Sequence, residues 1–377
     1  MIVIDMPEDR PSQAALIVDG RLEDLLIDPP RGDTTPKPGE IFWAKVDRVT
    51  QGGAFVKLTP EHQGFLRETK GVKQGEGVLV QTTSYAEPGK AIPATTRLLY
   101  KGRYVIHTPS APGTNVSRQI KDPEERERLE RSISDWLPGQ ELGREPALTR
   151  YRNMHRVGGY IVRSAAKAAA AQDIHNDLQK VLARRSEREG LTRSTAPGTV
   201  PGSSLALEDA LRDWDWDSQT TILASNSCQP FLHSDHPELA PRHEDCPFEN
   251  FGIWDEIERL TSALADLPSG GWMALEATRA MVTVDVNTGD GFGTGDAMTA
   301  NIEAARELPR QLRLRGLGGQ IIIDFAPLKK QHRNKIEEEL KRAFRKDPID
   351  TTLAGWTPLG NFELQRKRER RPLSELL

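Results

Sequence analysis

The sequence contains VTVDVN at residues 282–287 and IIIDF at residues 321–325, two aliphatic runs that each predict a β-strand. Residues 296–315 between them have the spacing of a helix, and GLGG at residues 316–319 is a tight link. A strand, a helix and a second strand in this order predict a β-α-β crossover, which puts both strands in one sheet, often as neighbours. The last hundred residues are therefore predicted to form an α/β unit.

Three polar side chains interrupt these strands. Asp285 and Asn287 are two residues apart and so project from one face, and Asp324 ends the second aliphatic run. A carboxylate at the end of a buried strand is costly unless it binds a cation or finds hydrogen-bond donors. Two carboxylates and an amide favour Mg²⁺ or Mn²⁺ over zinc, and such an ion polarises a phosphodiester and lowers the pKa of water. The alternative is that the aspartates cap turns or pair with Arg306, Arg310 or Arg313.

The chain upstream of this unit changes character along its length. Residues 1–35 contain two or three short strands, and residues 40–108 alternate β-forming runs with Gly, Pro and Lys, which is typical of a small barrel. Residues 115–190 mix strands and helices, including a long helix predicted to follow YIVRS directly and to end at Gly190. Residues 192–204 are too rich in Pro, Gly and Ser to pack. These patterns predict an α/β multidomain protein that contains a β-barrel.

Composition limits the function classes. The 377 residues and 42.0 kDa suggest about two or three domains, and a net charge of −4 means that any nucleic-acid binding must use local basic surface. Two cysteines exclude a disulfide scaffold and fit a reducing compartment. No apolar stretch approaches the ~20 residues that span a bilayer. We therefore expect a cytoplasmic protein with no membrane span.

Several motifs together resemble one known family. VDVNTG (284–289), NIEAARELPRQLRLRGLGGQIIIDF (301–325) and LGNFELQRKR (359–368) closely resemble the catalytic region of the ribonuclease E/G family of bacterial endoribonucleases. Weaker similarity in the expected order extends towards the N-terminus through ALIVDGRLEDLLID (15–28), AFVKL (54–58), QGFL (63–66), VSRQI (116–120) and YIVRS (160–164). The resemblance covers essentially the whole chain.

The resemblance implies a fold for each part of the chain. Residues 1–35 would begin an RNase H-like sheet, residues 36–108 would be an inserted OB-fold that binds RNA, and residues 109–268 would complete the RNase H-like subdomain and carry a 5′-end sensor. Residues 269–377 would form a DNase I-like catalytic subdomain.

The resemblance also implies roles for individual residues. Asp285 and Asp324 would hold the catalytic Mg²⁺, and Asn287 would orient one of them. The residues that would contact RNA are Phe55 and Phe65 on the barrel, Lys90 near them, and Arg163 with Ser164, a pair that would sense a 5′-monophosphate. An exposed aromatic ring on such a barrel stacks on any base, although the alternative for either phenylalanine is a place in the barrel core.

Other basic residues could bind phosphate. Arg118 could form a second wall of the 5′-end site. The spacing of Arg306, Arg310 and Arg313 predicts one basic helix face. Further positive charge is carried by Lys329, Lys330, His332, Arg333 and the RKRERR run at 366–371. The alternative for such runs is a solvated face.

Two departures from the family pattern are visible. An acidic residue often follows the second aspartate of the family in a DFIDM-like run, whereas this chain has DFAPL at residues 324–328. No CPxC zinc link follows QRKRERRPLSELL, so the sequence leaves open whether a homo-oligomer forms. A structural zinc site at Cys228 and Cys246, with His233, His236 and His243, is the less favoured interpretation because its spacing matches no standard finger.

The carboxylates and the family resemblance together favour a Mg²⁺-dependent endoribonuclease. The resemblance further implies that it cuts single-stranded, 5′-monophosphorylated RNA in ribosomal RNA maturation or mRNA turnover. It would leave 5′-phosphate and 3′-hydroxyl ends. The alternatives are a non-catalytic RNA-binding relative, in which the DFAPL change has abolished cleavage, and a DNA nuclease.

Overall fold

The computed structural model describes residues 1–136, 158–191, 205–237, 239–290 and 294–377. The strands, in chain order, are β1 (Ile2–Asp5), β2 (Gln13–Val18), β3 (Arg21–Ile27), β4 (Ile41–Thr50), β5 (Gly53–Lys57), β6 (Gln63–Leu66), β7 (Gly77–Thr82), β8 (Ile92–Thr95), β9 (Tyr100–Lys101), β10 (Val105–Thr108), β11 (Gly113–Val116), β12 (Gly159–Val162), β13 (Ile222–Ala224), β14 (Arg242–His243), β15 (Leu264–Asp266), β16 (Trp272–Ala277), β17 (Val282–Asn287), β18 (Gly319–Asp324), β19 (Thr351–Trp356) and β20 (Phe362–Arg366). The helices are α1 (Pro123–Trp136), α2 (Ala171–Leu191), α3 (Ala206–Asp213), α4 (Gln229–Asp235), α5 (Pro247–Asn250), α6 (Ile253–Thr261), α7 (Thr294–Leu314) and α8 (Arg333–Phe344).

In the described ranges these elements form one closed barrel and three open sheets. The mixed α/β class and the barrel predicted from the sequence are therefore confirmed, whereas the assignment of the open sheets to RNase H-like and DNase I-like units stays a prediction. Among the described helices, none has the length and apolar character that crossing a membrane requires.

The first sheet has the order β14-β13-β1-β2-β3. Its central strand β1 runs parallel to β13 and is buried on both faces, because Ile2 and Ile4 pack against α3 while Val3 packs against α6. Helices on both faces are the usual cover for a strand that pairs in parallel.

The barrel closes in the order β4-β5-β6-β8-β7. Strand alternation directs small and aliphatic side chains, such as Ala54, Val56 and Leu66, into its core. The intervening residues Phe55 and Phe65 therefore lie on its outer surface and are half-buried. The alternative that they belong to the core is wrong, because the core is filled by their neighbours.

The sheet with the order β11-β12-β10-β9 packs against α1 and α2. The long helix was predicted to follow YIVRS directly, and this start is wrong. A short 3₁₀ turn at Ser164–Ala166 comes first, and the backbone of Ala168 is left-handed (φ 60°), so α2 begins only at Ala171. The amide of Ala168 donates a hydrogen bond to Glu125 of α1 (2.9 Å), a tertiary contact that runs of alanine do not reveal.

The last sheet has the order β15-β16-β17-β18-β20-β19. Helices α7 and α8 cover one of its faces and bury the inward residues of β16, β17, β18 and β20. The outward residues of the two central strands β17 and β18 are exposed or half-buried. The strand pair predicted from the crossover thus lies at the centre of a sheet with one open face in the described part of the chain.

Candidate active site

Asp285 and Asp324 lie directly beside each other at the ends of two parallel strands. Strands β17 and β18 are neighbours, and these two residues are register partners. Adjacent strands are about 4.8 Å apart, and register partners in a parallel pair point to the same face. Since Val284 and Ile323 point into the core, both carboxylates point to the open face and are exposed.

Asn287 extends this group along β17. It is exposed, and its position two residues after Asp285 puts it on the same face. Its side-chain oxygen accepts a hydrogen bond from the amide of Gly289 (3.2 Å). The turn between β15 and β16 packs so closely here that a Cβ on Gly271 would come within 2.5 Å of the Asn287 carbonyl oxygen. The close approach of the backbones fixes the end of β17.

A third carboxylate contributes to the electrostatics of the pair. Glu276 on β16 pairs with Thr283, which places it on the open face, diagonal to Asp285. The pKa of Asp285 is raised above its ordinary value by burial, and then by the negative charges of Asp324 and Glu276. Sequence reasoning missed Glu276, although the alternation of Trp272, Ala274 and Glu276 along β16 was a signal for it.

These donors fit a divalent cation. Mg²⁺ in proteins keeps several waters and is bound by one or two carboxylates together with substrate phosphates, which matches an exposed pair of aspartates beside an amide. A bound cation would also relieve the repulsion that raises the pKa of Asp285. In the described residues no group of three or more His, Cys, Asp or Glu side chains converges on one point.

The basic loop that follows β18 lies at the same edge. Lys329 and Lys330 are exposed and stand five and six residues after Asp324. Arg333, at the start of α8, is half-buried and lies over the ring of Trp356 at 4.8 Å. Two of the predicted phosphate contacts are therefore exposed side chains on the segment that follows Asp324, and the third is held against an aromatic ring.

The predicted basic face of α7 has another place in the structure. Helix α7 lies behind the sheet, on the face opposite the carboxylates. Arg313 is buried there, with Glu23 at 2.7 Å, Asp24 at 3.4 Å and a close ion pair to Asp347. It joins the last sheet to β3 and is not part of an exposed phosphate-binding surface.

A similar correction applies to Arg310 and to the arginines of the RKRERR run that pair with aspartates, whereas Arg306 lies on the surface. Arg306 pairs with Glu339 at 3.0 Å, and Arg310 pairs with Glu307 at 2.6 Å. Of the run, Arg366 is fully buried against Asp347 (2.9 Å), Arg370 pairs with Asp24, and Arg371 pairs with Asp33. Burial alone would raise the pKa of Asp24, but the charge and hydrogen bonds of Arg370, the charge of Arg313 and a hydrogen bond from Trp214 lower it below its ordinary value. Arg310, Arg366, Arg370 and Arg371 are therefore structural residues. The Arg306 side chain is 60% exposed, so the alternative of a solvated face describes it.

The outer surface of the barrel presents a row of aromatic and basic side chains. Phe55 and Phe65 are register partners with ring centroids 5.1 Å apart, and the guanidinium of Arg48 lies over Phe55 at 4.6 Å. Lys57 is exposed next to this row. Lys90 is exposed and pairs with Glu87 at 2.5 Å. Sequence reasoning missed Arg48, because its register with Phe55 depends on a bulge in the pairing of β4 with β5.

The predicted 5′-end site lies where β11 and β12 end. These strands are parallel, so Arg118 and Ser164, both exposed, follow the strands at one edge of their sheet. The Arg163 guanidinium donates to the carbonyls of Gly102 (2.6 Å) and Arg212 (3.1 Å) and pairs with Asp213 at 2.7 Å. Burial alone would raise the pKa of Asp213, but the charge of Arg212, and then that of Arg163, lower it to about 2. The carboxylate of Asp213 is therefore an anion within the protein itself that already pairs with Arg163.

The cysteines and histidines considered for zinc are dispersed. Cys228 is buried in the core beneath the first sheet, its pKa is raised by burial to about 11, and its sulfur lies 3.4 Å from the Ser225 hydroxyl. Cys246 is exposed, and His243 pairs with Asp245 at 3.1 Å. Within the residues that the structure describes, no group of three or more His, Cys, Asp or Glu side chains that could hold a metal ion lies in this region either.

Comparisons with known proteins identify the family of this chain. Residues 100–369 match the model of the ribonuclease E/G family. Ribonuclease G of Salmonella typhimurium (strain SL1344) is 30% identical over 383 residues, a match that covers 90% of this chain and 74% of that protein. Ribonuclease G of Haemophilus influenzae is 27% identical and covers 97% of this chain and 79% of its own length. Ribonuclease E of Nostoc sp. is 28% identical, with coverage of 90% and 52%. The chain therefore belongs to the ribonuclease E/G family.

Proposed function

We propose that this protein is an endoribonuclease that cuts single-stranded RNA in ribosomal RNA maturation or mRNA decay, with Asp285 and Asp324 as its active-site carboxylates. The observation that carries the proposal is the register pairing of these two carboxylates on an exposed sheet face. Isolated aspartates at strand ends are commonplace, but two unneutralised carboxylates held side by side repel each other. That repulsion is expected at a site built for a cation.

The residues present would hold a divalent ion between Asp285 and Asp324, with Asn287 beside it. When bound, Mg²⁺ or Mn²⁺ supplies charge stabilisation at the phosphodiester and lowers the pKa of water. Asp285 and Asp324 would keep the ion at one edge of the sheet, and the exposed Lys329 and Lys330, which follow Asp324 along the chain, would add positive charge that attracts the RNA backbone. Attack by water would leave a 5′-phosphate and a 3′-hydroxyl.

The barrel supplies the second element of the proposal. Phe55 and Phe65 present ring surface outside the core, and Arg48 and Lys57 add charge beside them. Stacking on aromatic rings with basic residues alongside is the usual way to bind single strands without strict sequence preference. Arg118 and Ser164 would receive a 5′-monophosphate, together with Arg163 once its pairing with Asp213 is exchanged.

A second candidate is an RNA-binding relative that does not cleave. The observation that favours it is the DFAPL run, in which Ala326 and Pro327 follow the Asp324 strand where the family resemblance leads us to expect an acidic residue. The two functions differ in cleavage and not in RNA binding.

Cleavage of a 5′-monophosphorylated, A/U-rich oligoribonucleotide in Mg²⁺ separates the candidates. We expect cleavage by the wild type, products with a 5′-phosphate, and at least a hundredfold lower rate for Asp285→Asn and Asp324→Asn. Asp9→Asn removes an exposed carboxylate elsewhere and should cut normally. Binding without cutting supports the second candidate, and full activity in both site variants contradicts the metal assignment. A DNA strand of the same sequence tests for a DNA nuclease.

A further inference from the structure

A buried polar side chain lies directly behind the candidate active site. Asn301 on α7 is 0% exposed and is surrounded by apolar core residues such as Ala300, Ala304 and Ala305. Its amide nitrogen donates to the carbonyl oxygen of Ala326 (2.9 Å), and its side-chain oxygen accepts from the amide of the same residue (2.9 Å). Both hydrogen-bonding groups of one backbone position are thus bound by one side chain.

The position of Ala326 explains why such a contact is needed. The pairing of β18 with β17 reaches Asp324, and its pairing with β20 ends at Ile323. The chain then stays inside the protein for two more residues, because Phe325 and Ala326 are buried. A buried backbone amide and carbonyl without a strand partner are costly, and Asn301 supplies the partner for both. An apolar side chain at 301 would fill the same space and leave them unpaired.

The two hydrogen bonds between Asn301 and Ala326 form a clamp that also constrains the backbone on either side of Ala326. Asp324 lies two residues before Ala326, and Lys329 follows three residues after it. With β17 on one side of Asp324 and the clamp after it, the strand end cannot rotate its carboxylate away from Asp285. Since groups behind metal ligands fix their orientation, their loss typically lowers metal affinity or activity about 10- to 100-fold.

We propose that Asn301 is a positioning residue of the candidate active site, and that its carboxamide fixes the backbone that carries Asp324 and leads to Lys329 and Lys330. The proposal rests on the function proposed above. Asn301 touches neither the carboxylate pair nor the open face, so it acts only through the backbone of Ala326.

Two substitutions test the clamp in the full-length chain. Asn301→Leu removes both hydrogen bonds at similar volume, and Asn301→Asp keeps the shape and the acceptor but loses the donor. Asn250→Leu is the matched control, because this exposed asparagine at the end of α5 also donates to two oxygens, of Glu244 (2.8 Å) and Asp245 (2.7 Å), in the loop that follows β14. Circular dichroism and thermal unfolding establish which variants are folded.

Two quantities are measured. The first is the affinity for Mn²⁺ alone, for which electron paramagnetic resonance reports the concentration of the free ion. The second is the separate values of kcat and KM for RNA cleavage. We expect both Asn301 variants to bind Mn²⁺ about 10-fold or more weakly and to lose a similar factor in kcat, with KM for RNA within about twofold of wild type. Asn250→Leu should match the wild type in every value. Folded Asn301 variants with wild-type Mn²⁺ affinity overturn the proposal and leave Asn301 a purely structural residue.

A measurement on the wild type covers the case in which neither variant folds. Hydrogen exchange of the segment around Ala326 should slow when Mn²⁺ binds, since the clamp joins this amide to the carboxylate pair; exchange that Mn²⁺ does not change overturns the proposal. A wild type that binds no Mn²⁺ and cuts no RNA overturns the proposed function itself. Normal wild-type activity with unaffected Asn301 variants overturns the clamp alone.

Discussion

Replacing Phe65 by alanine should weaken RNA binding while leaving the barrel folded. The ring lies on the outer surface, against Phe55 at a centroid distance of 5.1 Å, and is not among the side chains that fill the barrel core. Its removal therefore forfeits an aromatic pair worth about 0.5–1.5 kcal/mol of folding free energy and creates no internal cavity. The barrel should unfold at a slightly lower temperature and remain intact at 25 °C.

The expected loss of binding is larger than this loss of stability. Stacking of a base on an exposed aromatic ring contributes about 1–3 kcal/mol, which corresponds to about a 5- to 150-fold change in Kd. Arg48 lies over Phe55 at 4.6 Å and partly covers that ring, so Phe65 has the more accessible face of the pair. We expect Phe65→Ala to cost more affinity than Phe55→Ala.

Fluorescence anisotropy with a labelled single-stranded oligoribonucleotide measures these values, with the Asp285→Asn variant as background so that the probe is not cut. Lys57→Ala is the control on the same surface. It should weaken binding modestly and lower the slope of log Kd against log salt by about one, whereas Phe65→Ala should leave that slope unchanged. A wild-type Kd for Phe65→Ala would refute the assignment of this surface to RNA.

Three other ion pairs and charges can be tested by substitution. Asp347→Ala leaves the fully buried Arg366 without its carboxylate, so the free energy of unfolding in urea should fall by about 3–5 kcal/mol. A fall below about 1 kcal/mol contradicts the structural role of the basic run. Asp213→Asn removes the internal anion on Arg163, so 5′-monophosphorylated RNA should bind up to about fivefold more tightly while 5′-hydroxyl RNA does not change in a parallel titration. Asp285→Asn should raise the Tm of the metal-free protein at pH 7, because a carboxyl whose pKa is raised on folding destabilises the native state above that pKa. The gain in Tm should vanish as the pH falls and Asp285 becomes protonated. A gain in Tm that does not depend on pH contradicts this origin.

The crossover and the carboxylate pair could be predicted because both depend on short-range patterns. Two aliphatic strands separated by one helix leave few topologies, and parallel neighbours in a sheet bring strand ends together. The register itself, with Asp285 opposite Asp324, follows only from the three-dimensional structure. A shift by one residue would have put the carboxylates on opposite faces.

The basic residues could not be placed from the sequence. The charges that neutralise Arg313 and Arg370 come from β3, near the other end of the chain. Spacing along α7 reports which residues share a helix face but not what that face meets. The arginines therefore resembled an RNA surface, although they hold the last sheet against the first.

The role of Asn301 was equally hidden. An asparagine in a predicted helix carries no signal of its own, and its partner Ala326 is an apolar residue whose backbone makes the contact. Contacts of a side chain with a distant backbone follow from tertiary structure alone. The same holds for Asp213, whose pairing with Arg163 joins α3 to the end of β12.

Anomalous diffraction from crystals of this protein soaked in Mn²⁺ tests directly whether Asp285 and Asp324 together hold the ion. We expect one strong peak on the open face of the last sheet, within coordination distance of both Asp285 and Asp324, and its loss in Asp324→Asn crystals. Manganese bound elsewhere, in a protein that still cuts RNA, would contradict the claim that this carboxylate pair is the active site.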